Sequence, residues 1–501
     1  MLPPSEQRAT GKPISPTYID AATPALQTAV PAELPLEPGS CHDLPLSVVR
    51  ELQKTYFESG ATRSFAFRIT QLMKLRQAIK AYESRILAAL NQDLGRSARE
   101  SFVVELSFLY EEMRHTRRHL KQWMKAEKVA TPLTLAPARS RVIREPKGQV
   151  LIISPWNYPF QLLMTPLIGA IAAGNTVALK PSEMSPATSK VISELVKEYF
   201  EACHITVFEG AVDVATALLD RPWDHIFFTG SPAIGKVVAQ AAARFLTPVT
   251  LELGGKSPAI VDESANIAVA ARRIIFGKFL NAGQTCIAPD YVLVHEDRRD
   301  ALVAAMKQQI HVFYGDNPQH STAFCRIINH KHFDRLTRLL TAGHIACGGR
   351  SDRSELYIEP TLVVDVTAKD AVMQEEIFGP ILPIITFKDY ADILSQVRSL
   401  PRPLALYLFS ERKEMQRSIL ADISFGGGAV NDTVVHFINP ELPFGGIGNS
   451  GLGAAHGLNS FLTFSHRKSV LINTTWMDLP LRYAPFTAAK DRLFRFLLDR
   501  E

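Results

Sequence analysis

Five short apolar runs, at 150–153, 176–179, 205–208, 225–228 and 249–252, alternate with helix-compatible stretches near 161–172, 186–202, 212–219 and 232–245. Apolar runs without polar alternation suit strands covered on both faces, and strands that alternate with helices are joined by crossovers. This rhythm confines the region to an α/β architecture, a doubly wound parallel sheet with helices on either side. In such a sheet a ligand sits beyond the carboxyl ends of the strands. After Leu253-Gly254-Gly255 a second alternating region runs to about 440, with strands expected near 291–294, 362–364, 383–387, 404–408 and 428–430. It reads as a second α/β domain.

The remaining chain is arranged around these two regions. Phe65, Ile69, Leu72, Leu75, Ile79, Tyr82, Ile86 and Leu90 recur at steps of three and four, one stripe of a long helix with Gly95 as its stop. A second helix carrying Phe102, Leu106, Leu109 and Met113 follows. The first 46 residues hold nine of the 32 prolines and show neither period, so 1–46 is expected to be a disordered Pro-rich tail. Segments near 125–145 and 455–475 fit neither sheet and read as extended pieces reaching a partner subunit. The expected division is 47–254 for the first domain, interrupted by 125–145, and 255–442 for the second. Residues 125–145 and 443–478 would form a bridging segment, and 479–501 a C-terminal tail or helix.

Composition removes several function classes. Lys and Arg number 55 against 50 Asp and Glu, a balance of +5 too mild and dispersed to argue for nucleic acid. Five cysteines with no CxxC spacing fit neither a disulfide scaffold nor a thiolate zinc site, and point to a reducing, cytoplasmic setting. No apolar run approaches the roughly 20 residues that span a bilayer. Among the 14 histidines there is no HExxH, so no metal site is expected. Gly446-Ile447-Gly448-Asn449-Ser450-Gly451 matches GxGxxG by letter but follows Leu442-Pro443-Phe444 rather than a strand. Gly255-Lys256-Ser257 lacks the earlier glycine of a phosphate loop, whose place Thr250 takes.

Chemistry is concentrated where the apolar runs end. Ser154-Pro155-Trp156-Asn157-Tyr158-Pro159 follows the first; Asn157 reads equally as a turn former or as a fixed amide donor aimed into the cleft. Lys180-Pro181-Ser182-Glu183 follows the second, where a carboxylate is either a solvated charge or an acceptor for ribose hydroxyls. After the fourth, Thr229-Gly230-Ser231-Pro232 opens a helix, with Ser231 as its cap and free N–H groups that suit a pyrophosphate. The fifth ends in Glu252. Further on, Asn281-Ala282-Gly283-Gln284-Thr285 leads to Cys286, and Glu375-Glu376-Ile377-Phe378 follows. A lone cysteine is ordinarily a core residue, but an amide donor, a carboxylate and a thiol beside a dinucleotide-like sheet suggest covalent catalysis coupled to redox chemistry.

At this point the chain resembles the aldehyde dehydrogenase superfamily, in particular its class 3, fatty-aldehyde-like branch, over roughly residues 47–485. The motifs are Pro155–Phe160, Leu179–Glu183, Phe228–Ser231, Leu251–Pro258, Gly283–Cys286, Glu375–Pro380, Leu442–Gly446 and Phe464–Arg467. The resemblance implies the aldehyde dehydrogenase fold: a Rossmann-like coenzyme domain, a catalytic α/β domain and a small oligomerisation segment. It implies oxidation of aldehydes to carboxylic acids by NAD, with NADP tolerated, in a homodimer. Cys286 would be the nucleophile, passing through a thiohemiacetal and a thioester. Asn157 and the Cys286 backbone N–H would hold the oxyanion, and Glu252 would activate water. Coenzyme contacts would come from Trp156, Lys180, Glu183, Thr229, Gly230, Ser231, Gly235, Glu376 and Phe378. Tyr158, Leu162, Phe437, Ile438 and Phe444 would line an apolar funnel suited to medium or long aliphatic, or aromatic, aldehydes. Pro232 stands where many relatives carry threonine or serine. At the C-terminus, Leu493, Phe494, Leu497 and Leu498 interleave with Arg492 and Arg495, a pattern open to membrane contact, funnel gating or subunit packing.

Overall fold

The computed structural model describes residues 44–478 and 482–498. The expected tail therefore lies outside the described residues except for its last three positions; a helix, Leu46–Glu58, which the sequence reading did not include, begins there.

The long amphipathic stripe forms the helix Phe65–Leu94. Ser64 caps it by accepting from the Phe67 N–H at 3.1 Å, and Gly95 ends it in the left-handed region at φ 62°. Leu72, Leu75, Ile79, Tyr82, Ile86 and Leu90 are buried, while Phe65 at its head is 38% exposed. The next helix is not continuous. A π-helical stretch, Phe102–Ser107, lies between Ala98–Ser101 and Phe108–Trp123. The wider turn shifts the register, so that Phe102 faces outward and the charged Glu105 is fully buried.

β1 (Glu127–Val129) pairs antiparallel with β2 (Arg139–Pro146). The first large sheet follows: β3 (Gln149–Ile153), β4 (Thr176–Lys180), β5 (Ile205–Val207), β6 (His225–Thr229) and β7 (Val249–Glu252), parallel and in the order β7-β6-β3-β4-β5. These are the five anticipated apolar runs, almost entirely buried. Each buried Leu, Ile or Val contributes about 1.5–3 kcal/mol relative to exposure. The chain leaves β3 in one direction and returns to its other side at β6, so the reversal lies between β3 and β6. The loops after those strands, carrying Asn157 and Thr229–Ser231, open there.

The second large sheet contains β8 (Pro258–Val261), β9 (Tyr291–His295), β10 (His344–Cys347), β13 (Thr361–Val364), β14 (Ile381–Phe387), β15 (Ala405–Phe409) and β16 (Gly427–Val430). Its order is β10-β13-β14-β9-β8-β15-β16, parallel except for β10, and β11 (Ser351–Asp352) with β12 (Tyr357–Ile358) forms a separate hairpin. The region 443–478, read from sequence as one bridging segment, is divided. β17 (Gly451–Leu452) adds antiparallel to β7, whereas β18 (Ser465–Ile472) pairs with β2. The physical reason is that β7 would otherwise be an open edge beside the site. At the C-terminus a helix spans Ala488–Leu498; residues 479–481 and 499–501, and the side chains of Phe494, Leu497 and Leu498, lie outside the described residues.

Candidate active site

Two cavities meet between the large sheets. The larger, about 530 Å³, is bordered by Trp156, Asn157, Gly230, Ser231, Glu376 and Phe378; the smaller, about 70 Å³, by Tyr158, Phe227, Phe437, Phe444 and His456. Leu162, Thr229, Glu252, Leu253 and Cys286 border both. The thiol and the carboxylate singled out in the sequence thus stand at one junction, reached from two sides.

Cys286 comes from the loop between the helix Ile267–Phe279 and β9. Asn281 (φ 53°), Ala282 (φ 51°) and Gly283 (φ 77°) all lie in the left-handed region just before it. Only the glycine does so without cost; at the other two the strain is of order 1–3 kcal/mol each. Gly283 is also required by space, since a Cβ there would lie 2.3 Å from the Gly379 carbonyl oxygen. Buried hydrogen bonds hold this conformation. Gln284 donates from Nε2 to the carbonyls of Asn281 (3.1 Å) and Arg326 (3.0 Å), and accepts from the Ile328 N–H (3.1 Å). Asn157 donates from Nδ2 to the Gln284 carbonyl at 3.0 Å, placing its amide nitrogen on the nucleophile's loop.

Behind the loop lies a set of residues that sequence reasoning missed. Arg96, fully buried, donates to Glu105, to the Asn157 carbonyl and, at 2.7 Å, to Asn281 Oδ1. Glu105 also accepts from the backbone N–H groups of Phe160 (3.0 Å) and Gln161 (2.9 Å). One signal was present: Glu105 is the single charge in the apolar run Phe102–Leu106, which calls for a buried partner.

Electrostatics at the junction oppose ionisation. Burial pushes the Cys286 thiol up to about 12, reinforced by the charges of Glu376 and Glu252; its own N–H and that of Ile287 pull it back. A thiol nucleophile needs activation by its environment or by a nearby base, and at rest the environment does the opposite. Glu252 closes β7 with neither carboxylate oxygen hydrogen-bonded, and burial raises it well above the ordinary carboxylate range. A carboxylate so placed is a stronger base than one in water.

The other predicted residues divide into two groups. Trp156 packs edge-on to Phe378 (centroids 5.4 Å, 81°), and both line the larger cavity with Thr229, Gly230, Ser231 and Glu376. Glu376 lies against Gly254, where a Cβ would be 2.1 Å from its Oε2, and burial raises it to about 8. Lys180, Glu183 and Gly235 do not line that cavity. Lys180 Nζ bonds Glu183 at 3.2 Å at the end of β4, and Gly235 packs under Leu253, where a Cβ would come within 2.6 Å. Tyr158, Leu162, Phe437 and Phe444 line the smaller cavity, but Ile438 stands outside it, 52% exposed. Tyr158 is fixed by a 2.6 Å bond to Thr285 Oγ1. His456, stacked on Phe444 at 5.1 Å, was not anticipated and adds a polar group, kept neutral by burial, to an apolar wall.

A dinucleotide suits the larger cavity. Ser231 caps the helix Pro232–Ala243, whose opening residues Pro232 and Ala233 border the space, presenting the positive end of a helix to a phosphate. Pro232 at the first helical position costs no hydrogen bond, because that N–H would be unpaired in the helix. Trp156 and Phe378 offer flat walls, and Glu376 an acceptor for hydroxyls.

Comparison with known proteins agrees with this geometry. The model of the aldehyde dehydrogenase family matches residues 49–470. A 4,4'-diaponeurosporen-aldehyde dehydrogenase of Staphylococcus aureus is 50% identical over 435 residues, 86% of this chain and 95% of that protein. Aldehyde dehydrogenase family 3 member H1 of Arabidopsis thaliana is 46% identical over 90% of this chain and 94% of its own length. The solved substrate-bound state of Staphylococcus aureus AldH superposes with a TM-score of 0.88 at 48% identity, covering 90% of this chain and 99% of that one.

Proposed function

Because the chain belongs to the aldehyde dehydrogenase family, and is an NAD(P)-dependent aldehyde-oxidising enzyme with family 3 members among its close relatives, we propose that Cys286, Asn157 and Glu252 carry its chemistry. The observation that supports this most is the shared junction: Cys286 and Glu252 border both the coenzyme-sized cavity and the apolar one. Cys286 Sγ attacks the aldehyde carbon as its proton passes to a base, for which Glu252 stands ready. The resulting oxyanion is held by Asn157 Nδ2 and the Cys286 N–H. Losing one such donor costs about 2.7–4 kcal/mol of transition-state stabilisation. When bound in the larger cavity, nicotinamide supplies the hydride acceptor that turns the thiohemiacetal into a thioester. Glu252 gives the thiol's proton up to solvent and then takes one from water; the hydroxide attacks the thioester carbon, the C–S bond breaks to give the acid, and Glu252 returns its proton to the sulfur.

Trp156, Thr229, Gly230, Ser231, Glu376 and Phe378 hold the coenzyme in this proposal. Lys180 and Glu183, paired at the strand end, favour NAD through the carboxylate and tolerate NADP through the ammonium. The apolar walls Leu162, Phe437 and Phe444 suit medium or long aliphatic, or aromatic, aldehydes. Among the described residues no helix is long and apolar enough to cross a membrane. A cytoplasmic homodimer fits the thiol nucleophile and the mostly exposed β18, which is paired on one side only, with β2. Steady-state oxidation of an aldehyde chain-length series with NAD and NADP tests the reading. Cys286→Ala should abolish turnover and leave nucleotide binding intact; unchanged turnover would overturn it.

A further inference from the structure

We propose that His115, His119 and Glu441 form a binding site for a divalent transition-metal ion of the zinc type, joining the helix Phe108–Trp123 to the loop that borders the apolar cavity. One ligand atom from each of the three residues lies within 4.8 Å of the others, the single such grouping of three among the described residues. The histidines are four positions apart on one helix and so share a face, with ring centroids 4.3 Å apart. The His119 Nδ1 is 2.9 Å from the His115 carbonyl oxygen, which can only accept, so the proton sits on Nδ1. That leaves the Nε2 lone pair of His119 for a metal, the arrangement usual for ligating imidazoles.

The third donor meets His115 at a telling distance. His115 Nε2 and Glu441 Oε1 are 3.6 Å apart, longer than a hydrogen bond. Two ligands held at about 2.1 Å by one tetrahedral ion stand roughly 3.4 Å from each other. The Glu441 side chain is 72% exposed, so its carboxylate can turn toward an ion. Trp123, buried and stacked on His119 at 5.9 Å, forms a dry wall behind the rings. Two imidazoles and one carboxylate select zinc, nickel or copper over magnesium and calcium, and leave a position for water.

The position gives the site a consequence. Glu441 lies between Phe437 and Phe444, both lining the smaller cavity, and Phe437 packs on Phe108 of the histidine-bearing helix with centroids 5.1 Å apart. An ion held there ties the loop that carries Phe437 and Phe444 to that helix. The inference does not rest on the catalytic reading, and its test keeps the two apart.

Zinc binding is measured in the full-length Cys286→Ser protein by competition with a chromophoric chelator, and cobalt substitution reports geometry through its visible absorption. One equivalent of zinc and a tetrahedral cobalt spectrum are expected, together with a raised melting temperature. His119→Ala on that background should abolish saturable binding, and the exposed substitution Glu441→Gln should weaken it about tenfold, at the low end for a lost metal interaction. Zinc uptake that vanishes with Cys286 alone, or that survives His119→Ala and Glu441→Gln undiminished, would overturn the proposal.

Discussion

Glu105 and Glu252 are both buried, and the protein treats them in opposite ways. Glu105 accepts from Arg96 and from two backbone N–H groups, whereas neither oxygen of Glu252 has a hydrogen-bond partner. Burial pushes both carboxyl groups upward; at Glu105 three donors pull it back, and at Glu252 nothing does. An unsatisfied buried carboxylate costs stability that a merely structural residue has no reason to cost. The contrast separates a charge that holds the nucleophile's loop in place from one kept ready to move a proton.

The sharpest way to break that distinction is Glu252→Gln. With the base removed, the enzyme should release one burst of NADH and then turn over about 10²–10⁴-fold more slowly, since general-base catalysis is worth that much. Stopped-flow absorbance at the NADH band checks it, and burst-free turnover at the wild-type rate would remove Glu252 from the role. Arg96→Ala should act on the opposite quantity. Stripping one partner from a buried ion pair costs about 3–5 kcal/mol of stability, read as a lower denaturation midpoint in urea. The double variant Arg96→Met, Glu105→Leu should recover part of that loss, because the stranded charge is gone; additive losses would mean that the two residues act independently. Asn157→Ala comes next, with kcat expected to fall about 10²–10³-fold and folding little changed. A rate within threefold of wild type would assign the oxyanion to other donors.

How far the sequence revealed this arrangement depends on chain separation. Glu252 was legible because it ends an apolar run, and Asn157 because two prolines frame it. Arg96 was marked only indirectly, by the lone charge of its partner Glu105 nine residues on, and its bond to Asn281, 185 residues away, has no local sign at all. The same applies to His115 and His119: their spacing was in view, but Glu441 joins them only in the fold. β8 went unnoticed as a strand because it has four residues and starts with Pro258, which cannot donate to a ladder. The helix Leu46–Glu58 buries only Val49 and Gln53, too few positions to leave a stripe. Gly235 was assigned to the coenzyme by motif, yet it lies under Leu253, where close helix–strand contact alone would require glycine. Short apolar runs report strands reliably because burial on both faces excludes polar residues.

The smallest expected effect concerns Glu252 again, this time through stability. Its carboxyl group is raised well above the ordinary value in the folded protein, by burial. Between the unfolded value, near 4.3, and the folded one, the native state therefore binds more protons than the unfolded chain. This contribution is fully present below the unfolded value and is lost as pH rises through the folded value. Glutamine at the same place has no such dependence. The Glu252→Gln protein should thus match the wild type at acid pH and become the more stable of the two as pH rises. The gap would widen by at most about 1.4 kcal/mol per pH unit before levelling off. Urea midpoints measured from pH 4 upward test this. Parallel curves for the two proteins would mean that Glu252 binds its proton no more tightly when folded, and the opposition to Glu105 would then lie in geometry alone.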